Sequence, residues 1–238
     1  MSKPGHLLVA FVILSVSTQA QGSGLFGLGV SIPRPFDVDH VRNMFSQALQ
    51  TDSQGNTVVL LENYVAAYTE LTRVFEIFGV VFHFARNDIL NHLSTLRNLR
   101  TQDRSRRQNN YHTFESMFAY EYSQFAQHLG QPGVSRNLNI HRALRFISLV
   151  IDEVKQEDDS DLAARVRTRY FQTLAPHHNW LVRMAATMAL QSFPSRSRFL
   201  RGVNVRNDAS GMTSLTSMNT MLDQIYNHIQ GLYDQYAE

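Results

Sequence analysis

The chain of 238 residues is 43% hydrophobic and 11% aromatic, enough to bury one sizeable core, and its length fits a single domain. Its net charge of +2 is mild and its arginines are scattered, which argues against the dense basic stripe of a nucleic-acid binder, so no nucleic-acid partner is expected. The body has no bilayer-length apolar run, and the lack of cysteine excludes a disulfide framework.

At the N-terminus, Lys3 and His6 precede an apolar run from Leu7 to Val16, and Ser17-Thr18-Gln19-Ala20 supplies small residues where a signal peptidase reads them. Residues 1–20 are therefore expected to be a secretory signal, because about ten apolar residues are too few to span roughly 30 Å of hydrocarbon. The expected location is outside the cell or in the secretory lumen, or the cytosol if this segment is not a working signal. No Asn-x-Ser/Thr acceptor is present, so N-glycosylation is not expected on that route. Gly22 to Pro35 is rich in glycine and proline. Residues 21–55 are expected to hold a flexible leader and a first short helix, ahead of a folded domain over 56–238.

Helical periodicity then dominates. Leu61, Tyr64, Val65, Tyr68, Leu71, Phe75, Phe78 and Phe82 fall three and four apart, a long buried helix with Gly79 as an interruption. Ile89, Leu93, Leu96 and Leu99 mark a second helix. Phe114, Met117, Phe118, Phe125 and Leu129 mark a third, ended by Gln131-Pro132-Gly133. A fourth carries Ile140, Leu144, Ile147, Ile151 and Val154, and the acidic cluster Glu157-Asp158-Asp159 with Asp161 suits the positive end of the helix after it. Leu162, Val166, Tyr170 and Leu174 form a fifth. Trp180, Met184 and Met188 form a sixth, closed by Pro194, and Leu215 to Leu232 form the last. Alternating strand patterns are absent, so the expected class is all-α.

The common enzyme signatures are missing: there is no Gly-x-Ser-x-Gly elbow, His-Glu-x-x-His pair, Walker loop or dinucleotide glycine motif. Neither an enzyme nor a cofactor is expected. Three polar positions stand out against apolar surroundings. Asp88 and His92, four apart, share a helix face with Thr95. Locally they read equally as a surface pair, and two candidate ligands without a third do not make a metal site. His177-His178 leads into the only tryptophan, Trp180, which alone would read as a core residue.

Four segments taken together carry more information. ENYVAAYTELTRVFEIFG, VFHFARNDILNHLSTLRNLR, NIHRALRFISLVIDEV and TLAPHHNWLVRMAATMALQSFPSRSRFL resemble, in order and separation, the glycolipid transfer protein superfamily. The resemblance runs from about Asn56 to the end, and HRALRF, HNWLVRMA and FPSRSRFL are more similar to its ceramide-1-phosphate branch than to its glycosphingolipid branch. It implies a two-layer helical sandwich that encloses one sphingolipid, with the chains in an apolar pocket and the head group at the surface. By the same resemblance Asp88 accepts from the ceramide N–H and hydroxyl, and His178 donates to the ceramide carbonyl. Trp180 matches the membrane-contacting tryptophan of the family, a position that suits an indole with an apolar body and a wet N–H. Arg183 beside it suits an anionic lipid surface.

The head-group selector departs from the family. Phosphate-binding members carry a lysine at the position of His92 and arginines at those of Ser135 and Asn139, and glycolipid-binding members carry a tryptophan at Asn139, an asparagine at His92 and a lysine at Thr95. This chain has neither set. Arg136 and Arg142, three residues to either side of Asn139, are candidate substitutes for the lost phosphate ligands. His92 is a candidate for a conditional one, because an ordinary imidazole changes charge near pH 6.5.

These residues imply a non-enzymatic carrier, expected to be a monomer, that moves ceramide 1-phosphate or a related sphingolipid through peripheral contact with membranes. A secreted binder that sequesters the lipid, or a glycosphingolipid carrier, would use the same pocket. A hydrolase built on Asp88, His92 and His178 would also need a nucleophile or metal set that the sequence does not offer.

Overall fold

Asp37 starts the fold by a local hydrogen bond. Its carboxylate accepts from the His40 N–H at 3.0 Å and caps helix α1, Val38–Ala48. That helix buries Val41, Phe45 and Ala48 along one stripe. The computed structural model describes residues 34–125, 130–158 and 160–236. The expected signal at 1–20, the leader up to residue 33, Leu129 and Asp159 lie outside the described residues. A compact unit begins at Pro35, so α1 belongs with the body that follows.

One short hairpin, which the sequence pattern did not disclose, accompanies the helices of the expected all-α class. β1, Leu49–Thr51, pairs antiparallel with β2, Thr57–Val59, in the register Leu49↔Val59 and Thr51↔Thr57. The turn is held by the Asp52 carboxylate, which accepts from the Gln54 and Asn56 N–H groups at 2.8 and 2.9 Å. Three-residue strands are too short to show an alternating pattern.

The expected long helix is divided. α2, Leu61–Leu71, gives way at Thr72–Arg73 to the short α3, Val74–Phe78. Gly79, at φ +92°, then turns the chain into a 3-10 segment, Val80–Phe82, a backbone angle that favours glycine. α4, His83–Ser105, follows, then α5, Phe114–Gln124, whose Thr113 and Ser116 form a reciprocal capping box. The expected third helix is shorter than the sequence implied: Phe125 lies past its end.

Gln131-Pro132-Gly133 does not end a helix but opens one. α6 is Pro132–Lys155, with proline in its first turn and no side-chain cap from Gln131. The cap comes from α5 instead, where the Glu121 carboxylate accepts from the Gly133 and Val134 N–H groups at 2.7 and 2.9 Å. α7, Leu162–Thr173, begins after the acidic cluster, yet Asp161 caps nothing with its side chain and sits at φ +53°. The remaining helices are α8, Trp180–Gln191, α9, Arg196–Gly202, and α10, Ala209–Tyr236.

Helices α4, α2, α1, α10 and α6 pack each on the next and close a ring. Its interior includes Phe45, Tyr64, Tyr68 and Phe114 in edge-to-face contact, and the Tyr68 hydroxyl donates to the Ile140 carbonyl at 2.8 Å. α7 packs on α6 and carries α8. α9 approaches α3 so closely that a Cβ on Gly202 would lie 2.2 Å from Ile77 Cγ2, which only glycine allows. There Phe78 meets Phe82, Phe193 and Phe199. Among the described residues no helix is long and apolar enough to cross a membrane.

Candidate functional site

α4 sets the first half of the site by helical spacing: Phe84, Asp88 and His92 are four apart and share one face. The Asp88 side chain is 73% exposed and that of His92 only 11%, with His92 Nε2 3.7 Å from Asp88 Oδ2. The neighbouring His92, and then the charges of His178 and Arg136, hold the Asp88 carboxyl below the usual carboxylate range, although partial burial opposes them. From α6, Asn139 Nδ2 comes within 3.5 Å of the same His92 Nε2. That nitrogen serves one neighbour at a time: it accepts from Asn139 in one tautomer and donates towards Asp88 in the other.

The second half lies between α7 and α8. The chain leaves α7 through a 3-10 turn, Ala175–His177, and becomes extended at His178. Asn179 then caps α8 by accepting from the Val182 N–H at 3.0 Å. His178 is half-buried, and its Nδ1 lies 2.9 Å from the Tyr170 hydroxyl on α7. With the phenol donating to Nδ1, the imidazole proton is on Nε2 and the ring can donate to a carbonyl. Burial pushes the pKa of His178 down, His177 and Arg183 add to this, and Asp88 opposes it. The ring is therefore neutral at pH 7, the state in which one nitrogen donates and the other accepts.

The predicted site residues thus fall into two groups. Asp88, His92 and Asn139 are in direct proximity, and Arg136 and, when protonated, His178 act on Asp88 through charge. Arg142 acts instead on His177 and on the buried His141, and Arg183 acts on His178 and Tyr170. His177 and Trp180 are exposed, the latter to 70%.

Tyr170, which orients His178, was not recognisable as a site residue, because it falls on the same apolar stripe as Leu162 and Val166 and is itself buried. Of the exposed apolar side chains, only Trp180 was singled out by the sequence as a surface contact. Among the described residues the exposed large hydrophobic side chains are Val81, Phe84, Phe171, Trp180, Met184 and Met188. Three polar groups of the site have one of them nearby in the chain: Phe84 one turn from Asp88, Phe171 next to Tyr170, and Trp180 two residues after His178. A surface cavity of about 620 Å³ near Leu200 and Val205 and another of about 240 Å³ near Ala163 and Leu190 include none of the site residues. Among the described residues no group of three or more His, Asp or Glu side chains is arranged to hold a metal ion.

An acceptor on α4 and a neutral donor just before α8, each on a segment that carries exposed apolar side chains, suit an amphiphile with a polar junction. Known proteins with this architecture bear on that reading. The mouse ceramide-1-phosphate transfer protein is 29% identical over 213 residues, covering 86% of this chain and 95% of its own length. Its apo crystal structure superposes with a TM-score of 0.75, covering 85% of this chain and 97% of that one. The crystal structure of the human ceramide-1-phosphate transfer protein in complex with 12:0 ceramide-1-phosphate is 27% identical, with a TM-score of 0.74 and the same coverage. The expected all-helical class is thus found in the form of the glycolipid transfer protein fold. The family signature described as glycolipid transfer protein (GLTP) matches residues 59–205, more than half of the sequence, and the chain belongs to that family.

Proposed function

We propose that this protein is a non-enzymatic carrier that moves ceramide 1-phosphate or a closely related sphingolipid between membranes. The observation that carries the reading is an open acceptor, Asp88, within electrostatic reach of a donor, His178, on segments that also carry exposed apolar side chains. A ceramide has one amide, whose N–H and C=O each lose about 1–3 kcal/mol on leaving water without a partner. Asp88 offers the acceptor and His178 the donor, so the amide enters an apolar interior with both groups paired. The mouse and human relatives named for ceramide-1-phosphate transfer support the same ligand class.

The exposed apolar side chains, the rim, supply docking. Trp180, Met184 and Met188, four apart on α8, lie on one exposed stripe, and with Phe84 and Val81 they suit insertion at the headgroup boundary. Arg183, on the next turn from Trp180, suits an anionic surface. Residues 1–20, read as a signal, direct this carrier to the secretory lumen or outside the cell, acting there as a monomer.

Lipid mass spectrometry on protein purified from a sphingolipid-containing host tests the ligand. An intact sphingolipid bound in about equal amount is expected, and hydrolysed products or a glycerolipid alone would overturn the reading. N-terminal sequencing of secreted protein tests the signal, with a start at Gln21 expected.

A further inference from the structure

We propose that Met184 and Met188 form an oxidation site on α8, and that converting their thioethers to sulfoxides releases the protein from membranes. The inference rests on the docking reading and adds a chemical control to that same surface.

Position is the first support. Met184 and Met188 follow Trp180 at four-residue intervals, so the three side chains share one stripe of α8. The buried residues of that helix, Ala186, Ala189 and Leu190, fall on its other side. The two methionines are 43% and 63% exposed. Both are therefore open to a dissolved oxidant.

Selectivity is the second. The chain has no cysteine, so a peroxide meets no thiol and its sulfur targets are methionines alone. Of the eight methionines, Met1 lies outside the described residues. Met117 and Met218 are buried, and Met44, Met212 and Met221 are partly buried against the core. The Met212 sulfur also accepts from Arg196 at 3.5 Å. Among the described residues Met184 and Met188 are the only exposed methionines, and both belong to the surface that docks.

Chemistry supplies the effect. The sulfur of each methionine gives an electron pair to one oxygen of hydrogen peroxide. The O–O bond breaks, an S–O bond forms, and the displaced oxygen leaves as water with both peroxide protons. Sulfur is oxidised by two electrons and the peroxide is reduced by two. An apolar, flexible side chain thereby becomes polar, and a polar group gains nothing by leaving water for the hydrocarbon boundary. Two sulfoxides one turn apart interrupt the stripe and leave Trp180 as its one apolar anchor. Reductases reverse the oxidation, so the change is a switch and not only damage. The secretory lumen and cell exterior proposed for this chain are oxidising.

The test uses phosphatidylcholine vesicles containing a minority of phosphatidylserine, with the native protein and the Met184→Leu/Met188→Leu double variant. Each protein is compared with itself before and after dilute hydrogen peroxide. Peptide mass spectrometry is expected to place sulfoxide on Met184 and Met188 ahead of Met117 and Met218. Oxidised native protein should float with vesicles at least about threefold less and transfer ceramide 1-phosphate correspondingly more slowly, as expected when two side chains lose part of their burial at the interface. Its affinity for a soluble short-chain analogue should hold, and methionine sulfoxide reductases should restore flotation. The leucine pair should show no peroxide response, and untreated Met184→Gln/Met188→Gln should behave like the oxidised native protein. Undiminished flotation with both methionines oxidised would overturn the inference, as would an equal peroxide response in the leucine pair or a parallel loss of analogue affinity. Native protein that floats and is released by peroxide but transfers no sphingolipid would overturn the carrier reading and support the switch, whereas native protein that never floats overturns both.

Discussion

Glu121 and Asp88 are both carboxylates on helices that face α6, and the fold surrounds them in opposite ways. Glu121 is fully buried and accepts from the Tyr111 hydroxyl and from two backbone N–H groups at 2.7–2.9 Å. Asp103 is similar, accepting from the Asn110 and Tyr111 N–H groups at 3.1 Å, and Glu153 takes Arg165 and Arg169 at 2.9 and 2.7 Å. Asp88 is mostly exposed, and its ion-pair partner is His92 at 3.7 Å. In the body, each buried charge is matched because an unmatched one would cost several kcal/mol. On the rim, hydrogen-bonding capacity and apolar surface are both left open, and an amphiphilic ligand or a membrane can complete them.

Breaking the body should therefore cost stability, and breaking the rim should cost binding. The largest effect is expected from Glu121→Ala, which would leave three buried donors without an acceptor at about 1–3 kcal/mol each, a loss on the order of 4 kcal/mol or more. Denaturant unfolding measures it, and Glu121→Gln, which keeps an acceptor oxygen, should recover much of the loss. An alanine variant as stable as the native protein would erase the distinction between the two regions.

His141 gives the body a pH dependence of its own. It is buried, stacks on Tyr226 at 4.2 Å, and its Nε2 is bonded to Gln230 Oε1 at 2.9 Å. Burial pushes its pKa down to about 4, with Arg142 adding to the effect and Gln230 and Asp234 opposing it. In the unfolded chain the ring takes its proton near pH 6.5. Between those values the unfolded state binds more protons, so this contribution is present above about pH 6.5 and is lost as pH falls towards about 4. It amounts to on the order of 3 kcal/mol. His141→Gln should flatten the acid limb of stability by about one proton, and an unchanged slope would show that His141 is already charged in the fold.

On the rim, Asp88→Val should leave the unfolding midpoint within experimental error while weakening ceramide and ceramide 1-phosphate alike. The loss of the amide acceptor is worth about 1–3 kcal/mol, or ten- to hundredfold in affinity. Undiminished binding would remove Asp88 from the site.

What the sequence disclosed follows the same division. The stripes of α4, α6 and α10 were legible because local periodicity determines a helix face, and Leu93, Ile140 and Leu222 are buried as that period requires. The start of α6 was not, since Pro132 reads equally as a stop or as a first-turn residue and its cap, Glu121, arrives from another helix. The β1–β2 hairpin was too short for its pattern to register. At the candidate site, Asp88, His92 and His178 were nominated through family resemblance, while Tyr170 was hidden because its side-chain hydroxyl meets His178 from an apolar stripe. The exposure of Phe84, Phe171 and Met188 depends on which neighbours the fold withholds, and no single segment records that.

The smallest effect is expected at Trp180, and it sharpens the meaning of the rim. If the indole docks the protein, Trp180→Ala should slow transfer of ceramide 1-phosphate between vesicles and leave affinity for a soluble short-chain analogue unchanged. Full burial of a large aromatic side chain would be worth about 1.5–3 kcal/mol. Here Met184, Met188 and Phe84 share the exposed surface, and a side chain at the interface is only partly withdrawn from water, so the loss in rate should stay below about tenfold. Trp180→Phe should retain most of the rate, because the apolar body is kept and only the N–H is lost. Adding Met188→Ala to Trp180→Ala should deepen the loss, since the two lie on one stripe of α8 two turns apart. Equal losses with vesicles and with the soluble analogue would move Trp180 from the membrane surface to the lipid site, and the open apolar rim would then need another occupant.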